Sequence, residues 1–531
     1  MKTKIFIALA FIFLLATPSC TDFLDEDPKG RLTPNTFFSS QDELNMGVNS
    51  LYEKVMNTQT QTNPMLPRWT GDDITTNPGS NKQAGAEFDA FAPADNNKGV
   101  TAHWNTHYTI IKAANYLIQN AERTPTTPAE INIAIGQAKY WRAYAYFMLV
   151  RVFGQIPMNL TGEINYDAPL STVADVYAQI VKDLQDCETL LPTSYKGEPR
   201  VMFGANAYIT QQAAKATLAA VYMSMAGWPL KQTDNYAKAA AKAKEVIDGV
   251  NSGQYEYILE PNFKNVYAPS YNYSLETVVG INFQKSFTWW QDSQLTSSNL
   301  FESLGGWGDA WGEIRFWKRM PEGPRKDAIY NPKILLNNKA GNDLIFWWEK
   351  NANGVKYIPE YHPMFSIFTV GSGDTDYDYT KPASLDMTNS HRHRIIRYSE
   401  VLLWYAEAQA RADGTPNALA YECVNKVRNR AGLSNMSTGM NGIDFANAVL
   451  AEHGWEVAGY WCALVTRRDD QMRMELLQAT FNERATNAPV EVAPGVMVTE
   501  SVPLPQKTWS EKLVYAPYPA TDASLNPNLV R

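Results

Sequence analysis

Five stretches of the sequence repeat apolar residues every three or four positions and close on glycine, and this rhythm restricts the folds open to the chain. They are GQAKYWRAYAYFMLVRVFG (136–154), NAYITQQAAKATLAAVYMSMAG (206–227), DNYAKAAAKAKEVIDG (234–249), RYSEVLLWYAEAQARADG (397–414) and NALAYECVNKVRNRAG (417–432). A 3.6-residue period gathers apolar side chains on one helical face, and a terminal glycine supplies the left-handed residue that stops a helix. The second and third stretches are separated by a short turn, as are the fourth and fifth, so both couples are expected to be antiparallel helix pairs. The chain is predicted to be mostly α.

Ala143 with Tyr146 and Ala219 with Tyr222 share a small-x-x-Tyr spacing. It is similar to the first helix of a tetratricopeptide repeat, in which a small residue lets the partner helix come close. Gln409 departs from it, standing where a third Tyr would follow Ala406. The expected fold class is a scaffold of tetratricopeptide-like helix pairs with a long, loop-rich, mixed insertion. The scaffold is placed at about 36–250 and 395–480, within a single body spanning 20–531. The insertion, about 255–395, is rich in Trp, Tyr, Asn, Gly and Pro and holds 7 of the 15 tryptophans. Loops carried on a rigid scaffold are where function is commonly built.

Lys2 and Lys4 precede an apolar run from Ile5 to Ala16, a pattern that reads as a secretory signal in residues 1–19. Its 12 residues fall short of the roughly 20 that a membrane-crossing helix needs. Thr17-Pro18-Ser19-Cys20 resembles a bacterial lipobox with a small residue before the cut, although Thr17 stands where Leu is usual. Cys20 is thus the expected lipidation site, the alternative being an ordinary signal peptide with an incidental cysteine. Asp22, Asp25, Glu26 and Asp27 resemble the acidic export tag of surface lipoproteins, and they equally suit a solvated leader. The formal charge is −8, and −10 once Lys2 and Lys4 leave with the signal, so nucleic acid and anionic membrane surfaces are poor partners. The remaining cysteines, Cys187, Cys423 and Cys462, are odd in number and lack CxxC spacing. They are read as small buried residues without a disulfide framework.

Distributed stretches carry a wider resemblance. CTDFLDEDPKGRLTPNTFFSSQDELNMGVNSLYEKV (20–55), HWNTHYTIIKAANYLI (103–118), QAKYWRAYAYFMLVRVFGQIPM (137–158), IIRYSEVLLWYAEAQAR (395–411), AYECVNKVRNRAGL (420–433) and YPATDASLNPNLV (518–530) resemble, in order, the SusD/RagB-like nutrient-binding outer-membrane lipoproteins. EHGWEVAGYWCALVTR (452–467) keeps Glu452, Trp455, Glu456, Ala458, Gly459 and Trp461. It places His453, Ala463 and Thr466 where that family usually has charged residues. The resemblance implies a non-catalytic, lipid-anchored protein at the cell surface, without a cofactor. Such a protein binds an oligosaccharide or polysaccharide and hands it to a SusC-like TonB-dependent transporter. Peptide binding within the same family is the near alternative. An exported glycoside hydrolase and a surface adhesin are the more distant ones. No GxSxG, HExxH or P-loop pattern occurs, so serine, zinc and nucleotide chemistry lack support.

A sugar presents a C–H face and a rim of hydroxyls, which calls for flat aromatic rings beside amides and carboxylates. SFTWWQDSQ (286–294) and GGWGDAWGE (305–313) supply Trp289, Trp290, Gln291, Asp292, Trp307, Asp309 and Trp311. The resemblance adds Trp69 in PRWTGDDITTN (67–77), with Asp72 and Asp73 as hydroxyl acceptors; Tyr273 is a further candidate. Each tryptophan has packing in the core as its alternative. His103 and His107 are four apart without a third ligand nearby and are read as structural. His391 and His393 in HRHR are expected to face solvent. Asp374, Asp376 and Asp378 are read as a solvated acidic loop, with calcium ligation as the alternative; no metal is expected.

If Cys20 carries the acyl anchor, Cys20→Ala removes it. The variant is expected in the soluble fraction and unlabelled by palmitate, whereas continued membrane fractionation with label would refute the assignment.

Overall fold

From Tyr140 to Phe153 every side chain of the helix Pro128–Phe153 is buried, and a helix apolar on all sides must be enclosed by other elements. A computed structural model describes residues 37–163, 165, 167–286, 291–338, 341–379 and 385–530. The signal region, Cys20, the acidic leader, Trp289 and Trp290 lie outside the described residues.

The long helices are α1 (Gln41–Met56), α2 (Lys98–Asn120), α3 (Pro128–Phe153), α4 (Val173–Leu190), α5 (Gln211–Ala226), α6 (Asn235–Asn251), α7 (Tyr398–Asp413), α8 (Ala418–Arg430) and α9 (Gly442–Glu456). Each packs on the next from α1 to α8, α1 also touches α3, and α7 also holds α9. The stack therefore continues directly from α6 to α7, although residues 252 to 397 separate them in sequence. This is the mostly α, helix-pair architecture expected. Side-chain caps fix several starts: Asn97 accepts from Gly99 N, Thr127 from Glu130 N beside Pro128, and Thr172 from Asp175 N.

The glycine stops are borne out in part. Gly154 and Gly414 end α3 and α7 at φ +68° and +71°. Gly227 ends α5 in extended backbone instead, and glycine is needed there for space, since a Cβ would sit 2.4 Å from Arg473 O. Gly249 stops nothing. It lies inside α6, where a Cβ would meet the Tyr255 ring at 2.2 Å.

Polar groups tie the stack. Arg142 of α3 grips Asp183 of α4 with two bonds, 2.8 and 2.7 Å, and donates to Asn115 of α2 at 2.8 Å. Gln409, the residue that departs from the Tyr spacing, closes the turn between α7 and α8. Its Nε2 donates to Asp413 and Thr415 O, and its Oε1 accepts from Asn417 N. Cys187, Cys423 and Cys462 are buried and free. No described helix is long and apolar enough to cross a membrane.

Between α6 and α7 the described helices are six residues or shorter, and every sheet of the described chain is two-stranded. Two ribbons matter here. Strand β1 (Ile74–Thr76) pairs antiparallel with β3 (Ala310–Gly312), setting Thr75 opposite Trp311. Strand β2 (Thr277–Ile281) pairs with β4 (His393–Arg397), which leads into α7.

The divergent segment 452–467 retains its charge network. Glu456 accepts from Arg397 at 2.7 Å, Arg325 at 3.1 Å and Arg430; Glu452 pairs with Arg325 at 2.7 Å and Arg428 at 2.8 Å. His453 lies 2.6 Å from Asp470, and Thr466 caps the helix Arg467–Arg473. Burial opposes ionisation of Glu456, but Arg430, Arg397 and Arg325 outweigh it and hold its pKa down to about 2. A depressed carboxylate pKa stabilises the fold above the unfolded value and loses that contribution as pH falls through the folded one. Glu456→Gln leaves three buried guanidinium groups short of charge and is expected to cost about 3–5 kcal/mol at pH 7. In urea titrations the gap from the unchanged protein should narrow between pH 4.5 and about 2. A gap constant over that window would show that Glu456 contributes through packing alone.

Candidate functional site

The pairing of β1 with β3 brings together two of the three loops that the sequence singles out, 67–77 and 305–313, and beside it opens a cleft of about 200 Å³. Trp69, Trp307 and Asp309 all line it, with Gln61, Asn81 and Lys82. Trp307 is half-buried. Its loop is held by backbone bonds: Trp307 N donates to Ser297 O at 2.6 Å and Asp309 N to Ser298 O at 2.8 Å. Gly306 is required there, since a Cβ would stand 2.1 Å from Leu300 O.

In the same cleft, Lys82 Nζ donates to Asp309 Oδ1 at 2.6 Å and lies 3.9 Å from Glu302; Thr62 donates to Asp309 Oδ2 at 3.4 Å. The cleft therefore offers an aromatic face beside a fixed cation, a carboxylate and the amides of Gln61 and Asn81. Trp69 belongs to its wall, but it is only 1% exposed, with its ring 5.2 Å from that of Trp461. It cannot serve as an open platform. Its Nε1 has no hydrogen-bond partner among the described residues, so a donor stands unused beside the cleft.

The structure draws the remaining expected residues elsewhere. Trp311 is 4% exposed and packs 4.7 Å from the His362 ring in a secondary core with Phe301, Ile314 and Trp347, so it has no face to offer. Asp72 is buried and paired with Arg467 at 2.8 Å and Arg319 at 3.4 Å. Asp73 accepts from Gly459 N at 2.8 Å; burial and the neighbouring Asp72 push its pKa up to about 7. Neither aspartate is free to meet a hydroxyl. Asp292 is buried and accepts from Ser286 N at 2.6 Å, whereas Gln291 is exposed outside the cleft lining. Tyr273 is half-buried on a different surface.

The histidines of HRHR are buried, not solvent-facing. His393 bridges Ser293 at 2.8 Å and Gln59 at 3.1 Å, and His391 lies 2.9 Å from Arg394. The cause is the β2–β4 ribbon, which carries them inside. His103 and His107 are buried and bonded to backbone carbonyls, as a structural pair would be. Asp374 and Asp376 accept from Ser390 and Ser270, and no metal-holding cluster occurs among the described residues.

Comparison with known proteins decides the lineage. Residues 22–223 match a family model described as SusD-like, starch-binding and associating with the outer membrane, and residues 370–531 match that of the SusD family. The chain belongs to the SusD/RagB family. A SusD-like protein of Formosa agariphila is 26% identical over 85% of this chain and 87% of its own. A SusD homologue of Bacteroides thetaiotaomicron of known structure shares 18% identity over 94% of this chain and 98% of its own, with a TM-score of 0.75. A solved relative crystallised with xylogluco-oligosaccharide has a TM-score of 0.71 at 19% identity, over 92% and 97% of the two chains.

The two family matches leave residues 224–369 between them, and Trp307 and Asp309 fall there. Lys82 and Asn81 escaped the sequence reading, which stopped at Asn77. The signal was the turn-rich TNPGSNK that follows.

Burial separates the two tryptophans of the cleft. Trp69→Ala is expected to cost about 3–5 kcal/mol of stability and Trp307→Ala less than about 1 kcal/mol. Thermal unfolding checks both, and a similar fall in the two variants would make Trp307 a core residue.

Proposed function

We propose that this chain is a glycan-binding lipoprotein, anchored through Cys20 at the outer surface, that catches oligosaccharides and delivers them to a TonB-dependent outer-membrane transporter. The observation that carries the reading is the half-buried Trp307 held on a glycine turn beside the Lys82–Asp309 pair. The indole supplies a face for the C–H side of a sugar, and the ion pair and amides supply donors and acceptors for its hydroxyls.

The starch-binding, outer-membrane description of the matched family model supports this reading. So does the relative crystallised with xylogluco-oligosaccharide. The role is binding without catalysis: Asp309 and Glu302 share Lys82, at 2.6 and 3.9 Å, and serve as ion-paired carboxylates in place of the free acid and base of a glycosidase. A shallow site of this size suits a Kd from micromolar to millimolar, about −8 to −4 kcal/mol.

The test is native electrophoresis of the protein lacking residues 1–20 through gels cast with starch, xyloglucan, arabinoxylan, galactomannan or alginate. Retardation by at least one polysaccharide is expected, with no reducing ends released, and Trp307→Ala should abolish most of it. Released sugars would make the protein a hydrolase. Passage unhindered through every gel would refute glycan binding.

A further inference from the structure

A second aromatic surface lies away from the cleft lining. Between α4 and α5 a hairpin pairs Val201 with Asn206 and Met202 with Ala205, leaving Phe203-Gly204 as a two-residue turn. Both turn residues are left-handed, with φ +49° and +83°. Such turns favour Asn-Gly, because Asn tolerates positive φ and a bulky ring does not. Phe203 nevertheless holds the position and is 81% exposed. A large apolar side chain kept in strained backbone and in water is a feature that folding alone does not select.

The ring is also not loose. It lies 4.7 Å from that of Tyr273, which comes from the loop-rich region. The guanidinium of Arg392 sits 5.4 Å from the Tyr273 ring centroid. Arg392 is only 2% exposed, and its Nε and Nη1 have no hydrogen-bond partner among the described residues. A buried cation with unused donors, set against one ring of the pair, fixes that ring's place. Asn272 accepts from Arg392 N at 2.8 Å and donates to Ser390 O at 2.9 Å, which holds the Tyr273 loop on the β4 side. Met202 is 38% exposed next to the rings, and Asn282 lies 3.8 Å from its sulfur.

We propose that Phe203 and Tyr273 form a second saccharide-stacking contact, distinct from the Trp307 cleft, with Arg392 as its positioning residue. The inference rests on the glycan-binding reading above. Aromatic rings held at a fixed angle beside an amide suit the C–H face of a pyranose and its hydroxyl rim.

The same five polysaccharide gels test it with Phe203→Asn, Phe203→Leu and Phe203→Tyr. Asn suits the turn better than Phe, so Phe203→Asn should hold or raise the melting temperature while weakening retardation about tenfold, the scale of one lost stacking contact. Phe203→Leu should weaken it similarly, and Phe203→Tyr should keep it. Unchanged retardation in Phe203→Asn overturns the proposal, as does a lowered melting temperature, which would make the ring a stabilising contact. Full retention in Phe203→Leu also overturns it, because a purely apolar knob for a protein partner would tolerate leucine. If Trp307→Ala abolishes retardation while the Phe203 variants do not, only this inference falls. If no gel retards even the unchanged protein, the glycan reading falls and takes this one with it.

Discussion

Glu456 is the point on which the loop-rich region and the helices that follow it converge. Its carboxylate holds Arg397 at the end of β4, Arg430 of α8 and Arg325 from the loop-rich region, and Arg430 in turn holds Glu276 at the start of β2. All of these groups are buried. Charges taken out of water cost several kcal/mol each unless their partners are placed well, so each member constrains the others. Helix α9, the β2–β4 ribbon and the short helix Pro324–Ile329 therefore fit together in one arrangement. The ribbon fixes Asn272 and hence the Tyr273 loop.

A second buried carboxylate does the corresponding work for the cleft. Asp469 accepts from Arg68 at 2.8 Å and is ion-paired with Arg151 at 2.9 Å, while Arg68 also donates to the carbonyls of Trp461 and Leu464. Arg151 belongs to the stretch of α3 from Tyr140 to Phe153, in which every side chain is buried. Trp69 and the strand after it are thus set by a cation anchored to the rigid core, and β1 then fixes β3 and the Trp307 turn. Asp72, expected as a sugar acceptor, is consumed in the same task through Arg467.

The helical scaffold was legible because its signal is local. A period of 3.6 with a cap or glycine at the end needs no knowledge of the partner, and α6, α7 and α8 match the stretches read from that rhythm to within about two residues, whereas α3 begins at Pro128, ahead of its stretch at Gly136. The second stretch starts at Asn206, which belongs to the hairpin, whereas α5 begins at Gln211. The site was legible only in outline. Trp307 and Asp309 could be named from composition, but whether a tryptophan is open or enclosed depends on what packs over it. Trp311 and Trp307 are four residues apart on one turn and strand, yet one is enclosed and the other half-open. HRHR looked solvent-facing for a similar reason: its charge is visible in the sequence, whereas the partner strand Thr277–Ile281 and the Ser293 and Gln59 that meet His393 are distant along the chain.

The direct packing of α6 on α7 has a consequence for how such a chain can change. The two ends of the loop-rich region leave and rejoin the scaffold at neighbouring helices, so the insertion is a closed excursion. The entropy of closing a loop grows only with the logarithm of its length, about 0.6 kcal/mol for each doubling. Segments between Glu276, Arg325 and the β2–β4 ribbon can therefore be gained, lost or exchanged while the helices that flank the excursion keep their contacts. Selection for a new nutrient can act on the excursion with little risk to the frame, and the frame can diverge slowly while its loops diverge fast.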